Sequence, residues 1–151
     1  MRVLGGLERG AVLDSPSWVA TLLRQPWAMP LFRICLVSAY LIGGVTKLMH
    51  FEAAVAEQAH FGLHPAWLWA TLAIFVEIAG SLCIVFNRFT WVGAGGLTGL
   101  TVVAMLVANN FWRLEGVARF IALNSFFEHL GLIAAFVMVT YVASGERRSR
   151  V

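Results

Sequence analysis

The sequence has few charged residues. Asp, Glu, Lys and Arg make up 13% of its 151 residues, against about 25% in an average soluble domain. So few charged groups do not cover the surface of a water-soluble fold of this length. Hydrophobic residues make up 60% of the chain, which excludes disorder, because a disordered chain combines low hydrophobicity with high charge. The shortage of charge therefore predicts a membrane protein.

Cysteine and recognised ligand motifs are also scarce. Cys35 and Cys83 form no CxxC pair, which disfavours an oxidoreductase with its own redox dithiol, and we interpret both as small apolar core residues. The sequence has no Walker loop, dinucleotide fingerprint, nucleophile elbow or HExxH. No basic stripe typical of nucleic-acid binding accompanies the net charge of +3. His60 and His64 have metal-ligand spacing, but Gly62 interrupts the helix and no third ligand follows, so we predict no metal site.

Four apolar stretches are each long enough to cross about 30 Å of hydrocarbon as an α-helix. They run from 31 to 49, from 65 to 86, from 89 to 111 and from 120 to 143. The sequence thus predicts an all-α polytopic membrane protein with a bundle of four transmembrane helices. Residues 31–143 form this domain, and residues 144–151 form a basic cytoplasmic tail.

The first 30 residues are predicted to be a cytoplasmic segment with an amphipathic helix in the membrane interface. Ser15 and Pro16 are typical of an N-cap and a first helical residue. Trp18, Val19, Leu22 and Leu23 would form the apolar face of the helix. The alternative is a plain linker.

Basic residues predict the orientation, because Lys and Arg concentrate on the cytoplasmic side of a membrane protein. Three of them fall on one side of the predicted spans, namely Lys47, Arg113 and Arg119. Eight fall on the other side: Arg2, Arg9, Arg24, Arg33, Arg88, Arg147, Arg148 and Arg150. Both termini are therefore predicted to be cytoplasmic, and the bias also favours contact with anionic lipid.

The third span contains a GxxxG pair, Gly95 and Gly99. Such a pair allows two helix backbones to approach closely. We favour packing inside the four-helix bundle, and the alternative is a homo-oligomer interface through the same two glycines.

Two acids, Glu77 and Glu128, lie inside predicted spans, where a charge that faces lipid is costly. Each shares a helix face with small or polar residues, so we expect both to face the bundle interior. The rise per residue puts Glu77 near the midplane and Glu128 in the outer half. With His129 they are the predicted catalytic residues, because an acid beside a histidine can relay protons. Five more polar residues are predicted to bind substrate in the same outward-open pocket: Lys47, Asn109, Asn110, Arg113 and Asn124.

Structural roles are the alternatives for these residues. Lys47 would anchor the membrane interface, Asn109 and Asn110 would cap a helix end, and His129 would be an interhelical donor. Glu77 or Glu128 would pair with Lys47 or Arg113 and hold the bundle together.

The order of these features resembles the DoxX family of four-helix bacterial membrane proteins. The matching segments are LIGGVTK at 41–47, FGLHP at 61–65, EIAG at 77–80 and FFEHL at 126–130. The resemblance covers about residues 31–143. The sequence departs from the family pattern at Ser81, because family members often have a second glycine at this position, directly after the one that matches Gly80. The resemblance implies a multi-pass protein of the bacterial inner membrane, and it assigns importance to Lys47 and Glu77 and, through a less specific motif, to Glu128 and His129.

Family members are linked to quinone-coupled oxidation of sulfur compounds and to complexes that handle thiol or oxidative stress. The resemblance therefore implies a membrane subunit of a quinone-linked oxidoreductase system, with quinone as the cofactor and other membrane or redox subunits as partners. The first alternative is a non-catalytic anchor or assembly subunit of a larger membrane complex. The second is a small-solute or proton pathway, which one small bundle supports poorly. Whether the chain is itself an enzyme stays open.

Overall fold

The computed structural model of the protein describes residues 16–148. These residues form helices and turns and contain no strand, so the predicted all-α class is confirmed. They fall into two compact units, divided between Cys35 and Leu36. The predicted N-cap Ser15 and three of the arginines used to predict orientation, Arg2, Arg9 and Arg150, lie outside the described residues.

Six α-helices and one short 3-10 turn follow one another along residues 16–148. They are α1 (Ser17–Leu23), α2 (Ala28–Met49), α3 (Phe51–His60), α4 (Ala66–Val85), α5 (Thr90–Ala108), the 3-10 turn (Phe111–Arg113) and α6 (Gly116–Arg148). Four of them, α2, α4, α5 and α6, are long and apolar enough to cross a membrane. The four predicted spans are therefore confirmed as helices, and the short helix α3 lies in the loop between the first two.

The helix boundaries differ from the predicted ones mainly in the first and the last spans of the chain. The helix α2 begins three residues before the predicted span, and α6 continues through 144–148, so the predicted tail begins as helix. Pro16 precedes α1 instead of opening it. No residue of α1 is buried, and Trp18 is 70% exposed. An exposed apolar face is what an interfacial helix needs, so that assignment stays a prediction.

The helices α4 and α5 form an antiparallel hairpin with a tight connection. Asn87 and Phe89 both have positive φ angles, of 53° and 55°. Asparagine adopts positive φ angles more readily than most residues. The Asn87 Oδ1 also accepts a hydrogen bond of 3.1 Å from Thr90 Oγ1. Because the connection is short, α5 runs back alongside α4 in the opposite direction.

Glycines set the distance between α4 and α5, although not the two that we expected. A Cβ added to Gly93 would overlap the carbonyl oxygen of Gly80, so the two backbones touch there. Gly95 and Gly99 have no atom within 4 Å of an added Cβ. The expectation that they pack inside the bundle is wrong, because α5 turns Gly93 and Leu97 towards α4 and leaves Gly95 and Gly99 beside an open groove.

The core within residues 36–148 draws on all four long helices. Its buried cluster consists of Val37, Ile84, Ala94, Leu97, Phe136 and Val139. The cysteines contribute less to it than we expected. Cys83 is half-buried, but Cys35 is exposed, so its assignment to the core is wrong, and neither cysteine is in a disulfide.

Candidate functional site

The best-defined polar feature in the described chain is a buried ion pair between α2 and α4. Glu77 is 6% exposed, and Lys47 Nζ donates a hydrogen bond of 2.5 Å to its Oε1. The two helices are successive spans and run in opposite directions, and side chains lean towards the N-terminus of their own helix. Lys47 near the end of α2 and Glu77 in the middle of α4 therefore lean towards each other. Lys47 pairs with an acid and does not merely anchor the interface.

Two glycines of α2 form the wall behind the Glu77 carboxylate. A Cβ added to Gly44 would lie 2.9 Å from Ile78 Cγ1 and 3.0 Å from Glu77 Cβ, and one added to Gly43 would lie 3.5 Å from Glu77 Oε2. Because α2 has no side chain at these positions, it approaches α4 closely and leaves space for the carboxylate. Neither glycine is among the predicted site residues, because periodicity within α2 does not show which helix lies opposite.

Two buried oxygen atoms on α4 have no hydrogen-bond partner among the described residues. They are Glu77 Oε2 and Ser81 Oγ, and Ser81 is fully buried. The two residues are four apart on one helix, so their side chains are neighbours. Nearly all buried polar atoms in proteins are hydrogen-bonded. In this site, Glu77 Oε1 is therefore hydrogen-bonded to Lys47, whereas Oε2 has no hydrogen-bond partner among the described residues.

A second polar contact links α2 to α5 on the same face of α2. Tyr40 Oη lies 2.6 Å from Thr101 Oγ1, which itself donates a bond of 2.6 Å to the carbonyl oxygen of Leu97. A threonine hydroxyl has one proton, so Tyr40 donates to Thr101. Tyr40 also packs against Phe136 of α6, with ring centroids 5.5 Å apart. Tyr40, Gly44 and Lys47, which are spaced four and three residues apart, therefore lie on one inward face of α2.

The ion pair remains accessible at its Lys47 end. The Lys47 side chain is 24% exposed. An apolar groove of about 400 Å³ is formed by residues of α2, α3 and α4, and neither Lys47 nor Glu77 lines it. It is lined by Leu48, Phe51, Thr71, Ile74, Phe75, Ile78, Ala79 and Leu82. The residues next to Lys47 and Glu77 in sequence, Leu48 and Ile78, thus belong to an apolar surface.

Glu128 lies in a different environment. It is exposed, as are Asn124 and Gly131 on the same side of α6, and its side chain has no hydrogen bond or ion pair with any residue in the range 16–148. The expectation that it faces the bundle interior is wrong. The first half of α6 buries only Ala122, whereas the buried residues Phe136, Val139 and Ala143 all lie in the second half.

His129 is held by its own helix. Its Nδ1 lies 2.6 Å from the carbonyl oxygen of Ser125, so this nitrogen carries a proton and donates it. Asn109, the residue at the end of α5, has its Nδ2 3.4 Å from the same nitrogen. The Nδ1 proton is therefore used within α6, and the Asn109 amide finds no acceptor at that nitrogen, so His129 is not the interhelical donor of the structural alternative. The contact places the His129 ring beside the end of α5.

Asn110 and Arg113 line a separate cavity near the 3-10 turn. The eight predicted site residues therefore do not converge on one pocket. Lys47 and Glu77 lie together, and Asn109 and His129 lie together. Asn124 and Glu128 are exposed. No group of three His, Cys, Asp or Glu side chains in the part of the chain that the structure describes could hold a metal ion.

Four apolar helices around an inward ion pair define an all-α polytopic membrane protein. The chain belongs to the DoxX family, whose model matches residues 28–110. The match includes Lys47 and Glu77 and ends before α6. The chain is also 24% identical over 121 residues to the inner membrane protein YphA of Escherichia coli (strain K12), which covers 80% of this chain and 86% of that protein. No solved structure matches.

Proposed function

We propose that this DoxX protein is a membrane subunit of a quinone-linked redox system, in which Lys47 and Glu77 bind the quinone head and handle its protons. The observation that carries the proposal is the buried Lys47–Glu77 pair, with one carboxylate oxygen bonded and the other without a partner. Ionisable residues inside a membrane are costly and mark functional sites by default.

The residues around the pair fit a quinone. Lys47 offers an ammonium donor that remains partly exposed, which suits a carbonyl oxygen. Glu77 offers an oxygen that can hold a proton. The groove of about 400 Å³ that is lined by Leu48 and Ile78, the sequence neighbours of Lys47 and Glu77, is apolar, which suits the hydrocarbon tail of a quinone whose head contacts the pair.

Bound there, a quinone would supply the two-electron redox chemistry. Lys47 would orient a carbonyl oxygen by hydrogen bonding. Glu77 would accept or release a proton at Oε2. Gly43 and Gly44 keep the carboxylate close to α2 and thus fix its position. Electrons would come from a partner subunit or from the substrate itself.

Quinone retention tests the proposal. The protein is reconstituted in nanodiscs with ubiquinone that carries a ten-carbon tail, purified again, and its quinone content is measured by extraction and chromatography. We expect Glu77→Gln to reduce retained quinone at least tenfold. Glu128→Gln is the matched control, because it makes the same chemical change at an exposed acid and should leave retention within twofold.

A folding defect in Glu77→Gln would also reduce retention, so a second variant is needed. Lys47→Met/Glu77→Met removes both charges without leaving one unpaired, which typically preserves stability. We expect this double variant to remain folded by circular dichroism and to lose quinone. Equal retention in the double variant and the wild type would exclude the pair as the quinone site.

A non-catalytic anchor or assembly subunit is the second candidate, and the faces left open in the bundle favour it. Gly95 and Gly99 border an open groove, and Glu128 is exposed on α6. A small-residue face allows a helix of another subunit or of a second copy to approach closely. This role predicts that Gly95→Leu/Gly99→Leu disrupts assembly, measured by native mass spectrometry of the gently purified protein, whereas Gly131→Leu does not. Unchanged assembly would argue against an interface at these glycines.

The inner-membrane location and the orientation complete the proposal. The YphA relative is named an inner membrane protein, and four apolar helices suit a multi-pass protein. The excess of basic residues on one side favours cytoplasmic termini. A cysteine introduced at Arg88, between α4 and α5, should then resist labelling from outside intact cells. Ready labelling at that position would reverse the proposed orientation.

A further inference from the structure

The end of α5 carries a small polar cavity that is separate from the Lys47–Glu77 pair. Its volume is about 260 Å³. It is lined by Phe61, Leu106, Val107, Asn110, Trp112 and Arg113. Four of the six lining residues are therefore apolar or aromatic, and the other two offer an amide and a guanidinium group.

Both polar side chains lack partners in the described part of the chain. Neither Asn110 nor Arg113 has a side-chain hydrogen bond or an ion pair there, although the acid Glu115 is only two residues from Arg113. An arginine presents five donors in a planar fork that matches phosphate oxygens, and it remains charged at any physiological pH. An anionic ligand would satisfy both groups.

The turn that carries these residues is fixed by aromatic contacts. Phe111 packs edge-on against Trp112 and Phe126, with centroids 5.2 and 5.3 Å apart, and Trp112 also contacts Phe126 at 6.4 Å. Because α6 supplies Phe126, the 3-10 turn is held against the bundle. Asn110 and Arg113 are therefore presented by a supported turn and not by a free loop.

The position of the cavity indicates which anion reaches it. The helix α5 has 19 residues, a length of about 28 Å, which is close to the roughly 30 Å of hydrocarbon in a bilayer. Its end thus lies where lipid headgroups begin, and aromatic residues concentrate at that level. The apolar lining from Leu106 and Val107 of α5 lies on the hydrocarbon side of Asn110 and Arg113.

We infer that this cavity binds the phosphate group of an anionic membrane lipid, with Arg113 and Asn110 as donors and with the apolar lining against the upper part of the acyl chains. A free phosphate ion would present the same oxygen atoms to the same donors. The lipid is favoured because the cavity pairs polar donors with an apolar wall at headgroup level.

Lipid titration by native mass spectrometry tests this inference. The full-length protein in detergent is titrated with phosphatidylglycerol and, separately, with phosphatidylcholine that has the same acyl chains. We expect the wild type to prefer phosphatidylglycerol by about fivefold, the effect of one basic residue near anionic lipid. Arg113→Gln should abolish this preference. Arg119→Gln is the matched control, because Arg119 is exposed on α6 and does not line the cavity.

Equal loss of preference in both arginine variants, or no loss in Arg113→Gln, would overturn the site. A parallel titration with inorganic phosphate separates the two sources of the anion. Binding of free phosphate as tight as that of the lipid, and lost in Arg113→Gln, would overturn the assignment to lipid. Since no arm contains quinone, failure here leaves the proposed redox role untouched, and the converse also holds.

Discussion

Glu77 and Glu128 have similar surroundings in the sequence, but one is buried in the structure and the other is exposed. Each is an acid in a predicted span with small or polar residues on its own face. Glu77 is 6% exposed and bonded to Lys47, whereas Glu128 is exposed and has no ion pair with any residue in the range 16–148. The difference comes from the neighbouring helix, because only Glu77 faces a basic residue across a close helix contact.

The glycines beside the two acids show the same contrast. Gly44 brings α2 so close that an added Cβ would meet Glu77 and Ile78, while Gly131, three residues after Glu128, has nothing within 4 Å. A small residue on the same helix as an acid therefore does not predict whether a neighbouring helix buries that acid. What encloses an acid is a small residue on the opposite helix, which lets that helix approach.

The largest effect should follow from breaking the Glu77 pair on one side only. Lys47→Met leaves the carboxylate of Glu77 buried without its partner, and we expect it to lower the free energy of unfolding by about 3 kcal/mol. Glu128→Gln should change the same quantity by less than about 0.5 kcal/mol, as most exposed substitutions do. Unfolding by SDS in mixed micelles, followed by circular dichroism, measures both. Similar values for the two variants would remove the distinction between the acids.

A smaller effect should follow from filling the space beside each acid. Gly44→Ala places a methyl group against Glu77 Cβ and Ile78 Cγ1, and we expect a loss of about 2 kcal/mol, typical of overpacking. Gly131→Ala meets open space and should raise stability by about 0.5 kcal/mol, because alanine favours a helix more than glycine does. The same unfolding measurement detects both the loss of stability in Gly44→Ala and the gain in Gly131→Ala. A loss in Gly131→Ala would mean that the face beside Glu128 is packed.

The sequence was sufficient to predict the elements but not their contacts. Hydrophobic runs and the cost of unbonded backbone in lipid determine where helices form, so the four spans were predicted within a few residues, apart from the long α6. Residues three, four and seven apart lie together on any helix, which is why Tyr40, Gly44 and Lys47 share one face of α2.

Contacts between helices depend on rotation and approach, which periodicity within one helix does not determine. The GxxxG pattern predicted a contact at Gly95 and Gly99, while α4 and α5 touch backbone to backbone at Gly80 and Gly93. For the same reason, residues expected in one pocket lie in separate places. The pairing of Lys47 with Glu77 was one of the alternatives that the sequence left open.

The smallest effect on stability should come from replacing the whole pair, and it separates the two roles of Glu77. Lys47→Met/Glu77→Met substitutes a buried ion pair with apolar side chains of similar length, a change that is often neutral. We expect the free energy of unfolding to stay within about 1 kcal/mol of the wild type. If it does, while the single variant Lys47→Met is destabilised, the pair is not needed to hold the bundle together. Its presence in the apolar bundle is then explained by binding or proton transfer. A double variant as unstable as Lys47→Met would instead make the pair a structural link between α2 and α4 and leave Glu77 no more functional than Glu128.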